Sequence, residues 1–381
     1  PLLTGALSRI VNGAQAGGIV SAISASLLLY VAYRFVYHLS GNRIVACAGQ
    51  LLVAVNHAFI LLSIEAENHM LDSLFYVLAI MLLVRALEKN DAYPYFMVGV
   101  VCGLAGLTRY TSYSLLPAFV LTLPCFFPFR RALQLALYLI AGFVLISSPW
   151  WVINYLNNGS PVATWQYMNV GSGVFAGDTG KKWWWWWAGI DSFESVTDII
   201  RYAPAQYFGN FCRNVVKCLY LIVTKGQLSG VICSLAVTIF ICWRYRRQTI
   251  PHWRTRIFLP VIISLVCFVG LVSQAFVFRD VFLSWLVIVP IYGVFAIYRL
   301  AGEADGIDQR YRPAILTIVG IVMALDLLYS GRQLGDYMNN VGGLEENAEV
   351  VAALKKHDNN IDQKVIMAMH PGRAYHLGAR Y

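Results

Sequence analysis

The sequence predicts an α-helical polytopic membrane protein with a partial extracytoplasmic α/β segment at its C-terminus, and three observations carry that prediction. The 381 residues are 58% hydrophobic and only 13% charged, where a soluble domain is about 25% charged. Apolar runs of membrane-crossing length recur along the chain. Lysine and arginine collect in alternate loops between those runs.

A bilayer-crossing helix needs about 20 apolar residues. Runs near 16–38, 44–63, 70–87, 131–152, 226–243, 257–277, 281–299 and 313–330 approach or meet that length. They follow one another too closely for anything but a helical bundle. The run 95–123 is too long for one span: as a single helix it would rise roughly 43 Å, beyond a hydrocarbon core of about 30 Å. It carries "GLTRYTSY" at its middle, so two helices are expected to meet at 108–112 with Arg109 at the junction. Such a hairpin returns the chain to the side it left.

Basic residues set the orientation. With the N-terminal end outside the cytoplasm, the loops holding Arg43, Arg85 and Lys89, Arg130 and Arg131, "RYRRQTIPHWRTR" and "RLAGEADGIDQRYR" fall inside, as the positive-inside rule demands. Segments 64–70, 108–112, 153–225, 273–280 and 331–381 then lie outside. The net charge of +9 thus reports orientation and implies no nucleic acid. The eight cysteines lie mostly within apolar runs and form no CxxC pair, which assigns them to packing.

Residues 1–330 form the transmembrane domain and include the long outer loop 153–225. Residues 331–381 open a small outer α/β domain: "ENAEVVAALKKH" reads as an amphipathic helix, "KVIMAM" as a buried strand and "HPGRAYHLGAR" as a turn into another helix. A chain that starts at Pro1 and ends in patterned sequence reads as an internal piece of a longer one.

The outer loop contains "KKWWWWWAGIDSF". Adjacent side chains point all round a helix and to both faces of a strand, so no single packed face takes them all. Tryptophan suits the headgroup level, where ring and N–H are both satisfied, and Lys181 and Lys182 can meet lipid phosphates. Indoles such as Trp183 and Trp184 could also line a groove for a sugar or a polyprenyl chain. Upstream, "SSPWWVINYLNNGSPV" places Pro149 as a helix end and a turn at Asn158–Gly159; the "NGS" match is read as that turn.

Ionisable groups near a membrane are costly and invite a functional reading. In "SIEAENHMLDSLF", Glu65, His69 and Asp72 fall at i, i+4 and i+7 and share a helix face, while Glu67 points away. Such a set could hold a divalent cation or an acceptor hydroxyl; it equally suits a solvated loop with Asp72 at a helix start, favoured by the dipole. Arg109, with Thr108, Tyr110, Thr111 and Ser112 beside it, and Arg279, followed by Asp280, are outer cations that could clamp a phosphate. Snorkelling of Arg109 and a local Arg279–Asp280 pair explain them as well. No Walker loop, GxSxG or HExxH is present, which leaves nucleotide hydrolysis, serine hydrolysis and zinc proteolysis without support.

Taken in order, "PLLTGALSRI", "EAENHMLDSLFYVLAIMLLVRALE", "GVVCGLAGLTRYTSYSLLPAFVL", "SSPWWVINYLNNGSPV" and "FRDVFLSWLVIVPIYG" resemble membrane glycosyltransferases of the GT-C fold. The branch is the dolichyl-phosphate-mannose-protein mannosyltransferase-like one, which includes bacterial lipid A aminoarabinose transferases. The resemblance implies a GT-C-like helical bundle in a bacterial plasma membrane or an ER membrane. It implies transfer of a hexosyl or pentosyl unit from a polyprenyl-phosphate carrier to a protein, lipid or glycan hydroxyl on the extracytoplasmic or lumenal side.

By that resemblance Asp72 matches the acidic position opening the family's fourth membrane helix, Arg109 the basic residue after "GLA.LT", and Arg279 the arginine of "RY..P..P", with Asp280 standing where Tyr or Phe is usual. The family's presumed base, an Asp in the first outer loop, would precede Pro1. The expected catalytic set is therefore Asp72, Glu65 and His69; the substrate-binding set is Arg109, Arg279, Tyr110, Asn154, Trp183 and Trp184; and a divalent cation would fall to Glu65, His69 and Asp72. A transporter of a lipid-linked or amphiphilic solute, or an inactive scaffold relative, is the rival reading. A transporter favours charge at the midplane and paired repeats, whereas the charges here cluster at one face.

Overall fold

The computed structural model describes residues 2–11, 13–64, 67–89, 91–161, 166–179, 193, 195–224, 227–246, 252–274, 282–303 and 311–339. Regular structure among them is entirely helical. The order is α1 (Leu2–Leu7), α2 (Gly13–Ser40), α3 (Arg43–Ala54), α4 (His57–Ile64), α5 (His69–Ala86), α6 (Ala92–Thr108), a 3-10 turn (Tyr110–Ser114), α7 (Leu115–Thr122), a second 3-10 turn (Leu123–Cys125) and α8 (Phe129–Asn158). Then come α9 (Gln166–Thr179), α10 (Val196–Tyr202), α11 (Pro204–Thr224), α12 (Gln227–Arg246), α13 (His252–Val272), α14 (Leu283–Glu303) and α15 (Tyr311–Asn339).

This is a helical polytopic membrane protein. Among the described residues, the segments Gln15–Ser40, His69–Ala86 and Phe129–Asn157 are long and apolar enough to cross a bilayer, and α3 with α4 reaches that length only as a bent pair, the shape of a broken span or of a re-entrant loop. The apolar stretches Ala92–Thr108, Gly230–Phe240, Phe258–Val272 and Leu283–Arg299 are shorter. The expected C-terminal α/β segment begins inside α15, which runs on to Asn339, and its later residues lie outside those described.

Two expectations are corrected. The run 44–63 is not one straight helix: α3 and α4 bend by 66° at Val55–Asn56. A break at membrane depth must re-satisfy the backbone groups it frees. The Asn56 side chain accepts from the Phe59 N–H at 3.2 Å, and the Ser330 hydroxyl of α15 donates to the Val55 carbonyl at 2.6 Å. Pro149 does not end α8 but sits inside it. Its missing N–H leaves the Leu145 carbonyl without its usual donor, and the Ser148 hydroxyl donates there at 3.4 Å. The helix ends instead at Gly159, whose φ of 69° is left-handed, as suits the predicted turn.

The hairpin expected within 95–123 is present. Arg109 is extended (φ −152°, ψ 133°) between α6 and the first 3-10 turn. The chain then runs back until Phe127 packs edge-on against Tyr95, near the start of α6, with ring centroids 6.2 Å apart. Tyr95 also donates to the Ala86 carbonyl at the end of α5, at 2.9 Å. One end of the bundle thus gathers Ala86, Tyr95 and Phe127, and the opposite end gathers the starts of α5 and the close of α6.

The α6–α8 contact depends on glycine. A methyl group on Gly99 would run into the Leu139 carbonyl, and one on Gly142 into the Phe96 carbonyl, while one on Gly103 would lie only 3.0 Å from the Ile146 Cβ. Small residues let backbones approach in a membrane, where packing replaces the hydrophobic drive. The central packing is aromatic: Tyr76, Phe268 and Trp285 meet with centroids 5.9–6.0 Å apart.

Gly99→Leu or Gly142→Leu is expected to destabilise the fold by about 3 kcal/mol or more, because backbone and not a flexible side chain must yield. Gly270→Ala, where an added methyl meets nothing within 4 Å, is expected to leave stability unchanged or slightly raised. Thermal melts of the detergent-solubilised proteins compare the three.

Candidate functional site

The site is built where α5 begins and α6 ends. Asn68 does not cap α5 with its side chain; its amide instead donates to the Thr108 carbonyl at 2.8 Å. That bond joins the two segments forty residues apart. The Ser21 hydroxyl of α2 donates to the Glu67 backbone carbonyl at 2.9 Å, fixing the same loop from a third helix.

Arg109 follows at once. Its guanidinium meets His69 Nδ1 directly, and His69 Nε2 lies 2.5 Å from the Glu67 carboxylate. The imidazole thus stands between the guanidinium on its Nδ1 side and the Glu67 carboxylate on its Nε2 side. The three side chains form a chain from Arg109 through His69 to Glu67. Glu67, expected to point away, is part of the cluster because α5 begins only at His69 and the preceding loop turns its carboxylate back. No carboxylate forms an ion pair with Arg109 among the described residues.

Asp72 is one turn further into α5 and is buried, 4% exposed. Its carboxylate accepts the Ser112 hydroxyl at 2.5 Å. Ser73 beside it accepts from Ser284 at 3.1 Å, so α14 also begins at this end. The hydroxyl of buried Thr111 has no hydrogen-bond partner among the described residues. Tyr110 is half-buried next to Arg109; burial pushes its phenol up, and the arginine charge opposes that.

The structure thus brings together Arg109, His69, Asp72 and Tyr110 of the predicted residues. Asn154 lies near the end of α8, where its amide reaches the Pro161 carbonyl at 3.4 Å. Glu65, Arg279, Asp280, Trp183 and Trp184 lie outside the described residues. Among the described residues no three His, Cys, Asp or Glu side chains converge as a metal site; His69 and Asp72 face different partners. Sequence reasoning missed Glu67 and the Asp72–Ser112 bond. Ser112 was visible as a polar residue at a helix junction, but its partner needed the fold.

Residues 3–153 match the family model of the dolichyl-phosphate-mannose-protein mannosyltransferases. The matched stretch contains every residue of the Glu67–His69–Arg109 and Asp72–Ser112 cluster. It bears out the mannosyltransferase-like resemblance and supports a membrane glycosyltransferase of the GT-C type. No curated protein and no solved structure matches the chain significantly.

Ser112→Ala is expected to cost roughly 1–3 kcal/mol, because it strands a buried carboxylate. Asp72→Asn keeps an acceptor for Ser112 and is expected to cost less. In a double-mutant cycle the pair should couple, the combined loss departing from the sum of the single losses.

Proposed function

We propose that this chain transfers a sugar from a polyprenyl-phosphate carrier to a hydroxyl of a protein, lipid or glycan, and that Arg109 receives the phosphate. The observation that carries this is an arginine that meets no carboxylate among the described residues and is held by His69 at the end of a membrane bundle, inside the stretch that matches the mannosyltransferase family model. Arginine cannot shed its charge and offers five N–H donors in a fixed fork. The contact with His69 Nδ1 engages Nη1 alone, which leaves donors for an anionic guest.

The chemistry follows from charge. The acceptor oxygen bonds to the anomeric carbon, its proton passes to a base, and the bond from that carbon to the phosphate oxygen breaks. Negative charge grows on the departing carrier phosphate, and a guanidinium already oriented toward it stabilises that charge without reorganising. His69 and Glu67 act by positioning Arg109. Asp72 is closed off by Ser112 and acts by holding the 110–114 turn under Arg109. The extracytoplasmic face is the side assigned to this end by the basic loops at the other.

Membranes containing the full-length protein, incubated with radiolabelled polyprenyl-phosphate sugars, test the reading. Arg109→Ala is expected to lower transfer about 10²- to 10³-fold, with Arg109→Lys intermediate because it keeps the charge and loses the fork. Transfer unaffected by Arg109→Ala removes this residue from the site. Movement of the carrier across the membrane with the sugar–phosphate bond intact assigns the chain to transport instead.

His69→Ala should act mainly on donor engagement, raising the apparent KM for the carrier about tenfold or more. Turnover at saturation should fall less, and steady-state kinetics separate the two.

A further inference from the structure

Helix α11 (Pro204–Thr224) is turned the wrong way round for a helix lying in water. Its outward face carries Phe208, Cys212, Val216, Leu219 and Tyr220, all exposed. Their spacing places them on one stripe of the helix. The face turned to the protein carries Asn210, Asn214 and Cys218 beside Tyr207 and Leu221, all buried. Large side chains point out, and amides point in.

The inward polar groups fix the height of this helix against the bundle. The Asn214 amide donates to the Ser273 carbonyl at 3.2 Å, and the Cys218 thiol lies 3.5 Å from the Ser273 hydroxyl. Ser273 directly follows α13, whose stretch Phe258–Val272 is apolar. Phe268 of α13 packs on Phe282 and Trp285 at the start of α14, and Ser284 there bonds Ser73 beside Asp72. Helix α11 is therefore tied to the end of the bundle that holds Arg109, where apolar helices terminate. Arg213 and Lys217, both exposed, sit one turn apart along one edge of the apolar stripe.

We propose that α11 lies in the membrane interface on that side, with its stripe in the acyl region and Arg213 and Lys217 on the phosphates of anionic lipids. Two features select a lipid surface over another occupant. The stripe is continuous with the end of a membrane bundle, and its basic edge complements anionic headgroups, to which each Lys or Arg contributes independently. Arg213 is held ready for this by its own bond to Asn210 at 2.9 Å. The consequence reaches the neighbouring helices: α11 shares the apolar cluster Val170, Val174, Phe175, Ile199 and Tyr207 with α9 and α10, so seating α11 seats all three on the bilayer.

The test uses the full chain with its native sequence in nanodiscs, labelled by a carbene reagent that partitions into acyl chains and separately by hydroxyl radicals from water, both mapped by mass spectrometry. The expected result is carbene labelling of Phe208, Val216, Leu219 and Tyr220 with protection from radicals. Radical labelling without carbene labelling overturns the proposal in favour of a solvated face. Protection from both overturns it in favour of a protein-covered face, such as a second copy. In nanodiscs containing phosphatidylglycerol, Arg213→Glu with Lys217→Glu is expected to lower carbene labelling about twofold or more; an unchanged pattern in that variant overturns the headgroup contact.

Discussion

Every structural feature described above answers to one constraint: a chain inside hydrocarbon must satisfy its own backbone. Helices do this automatically, and each departure from a helix must be met by a named side chain. At Val55–Asn56 the freed groups go to Asn56 and Ser330. At Pro149 the orphaned carbonyl goes to Ser148. At Arg109 the backbone N–H still bonds Ala105 at 2.9 Å and the carbonyl takes the Ser112 N–H at 3.1 Å, while Asn68 supplies the Thr108 carbonyl. The third break differs from the others in what it presents. The first two close over themselves with neutral groups, whereas the third places a permanent cation at its extended residue.

That cation accounts for the rest of the cluster. An arginine at the edge of an apolar bundle needs polar company that does not neutralise it if it is to take an anion. His69 stands between Arg109 and Glu67 and keeps that carboxylate off the guanidinium. Asp72 lies at a further remove, and Ser112 donates to it. Moving either carboxylate onto Arg109 would form a closed ion pair and would end the proposed role of Arg109 in taking a phosphate.

Much of this was legible in the chain, and the limits have physical causes. Apolar length located the membrane helices, and a run too long for one bilayer located the Arg109 junction. Periodicity misplaced Glu67 because it assumes a helix has already begun, and the start of α5 is set by Asn68 giving its side chain to Thr108 and not to its own helix. The bend at Val55 was invisible because its second partner, Ser330, lies 275 residues away. Pro149 reads as a terminator by its local chemistry, and only the hydroxyl of Ser148 lets the helix continue. In each case, local preference was overruled by a hydrogen bond that supplied the group the preference lacked.

The placement of α11 then bears on how an amphiphile would reach the cluster. A polyprenyl phosphate keeps its tail in lipid and its head at the interface, so it approaches by moving sideways at headgroup depth and not through water. Ser273 and Ser284 bracket a short connection between α13 and α14, the first tied to α11 and the second to Ser73 next to Asp72. On the proposed seating, α11 on one side of the connection and Arg109 on the other lie at one level of the membrane.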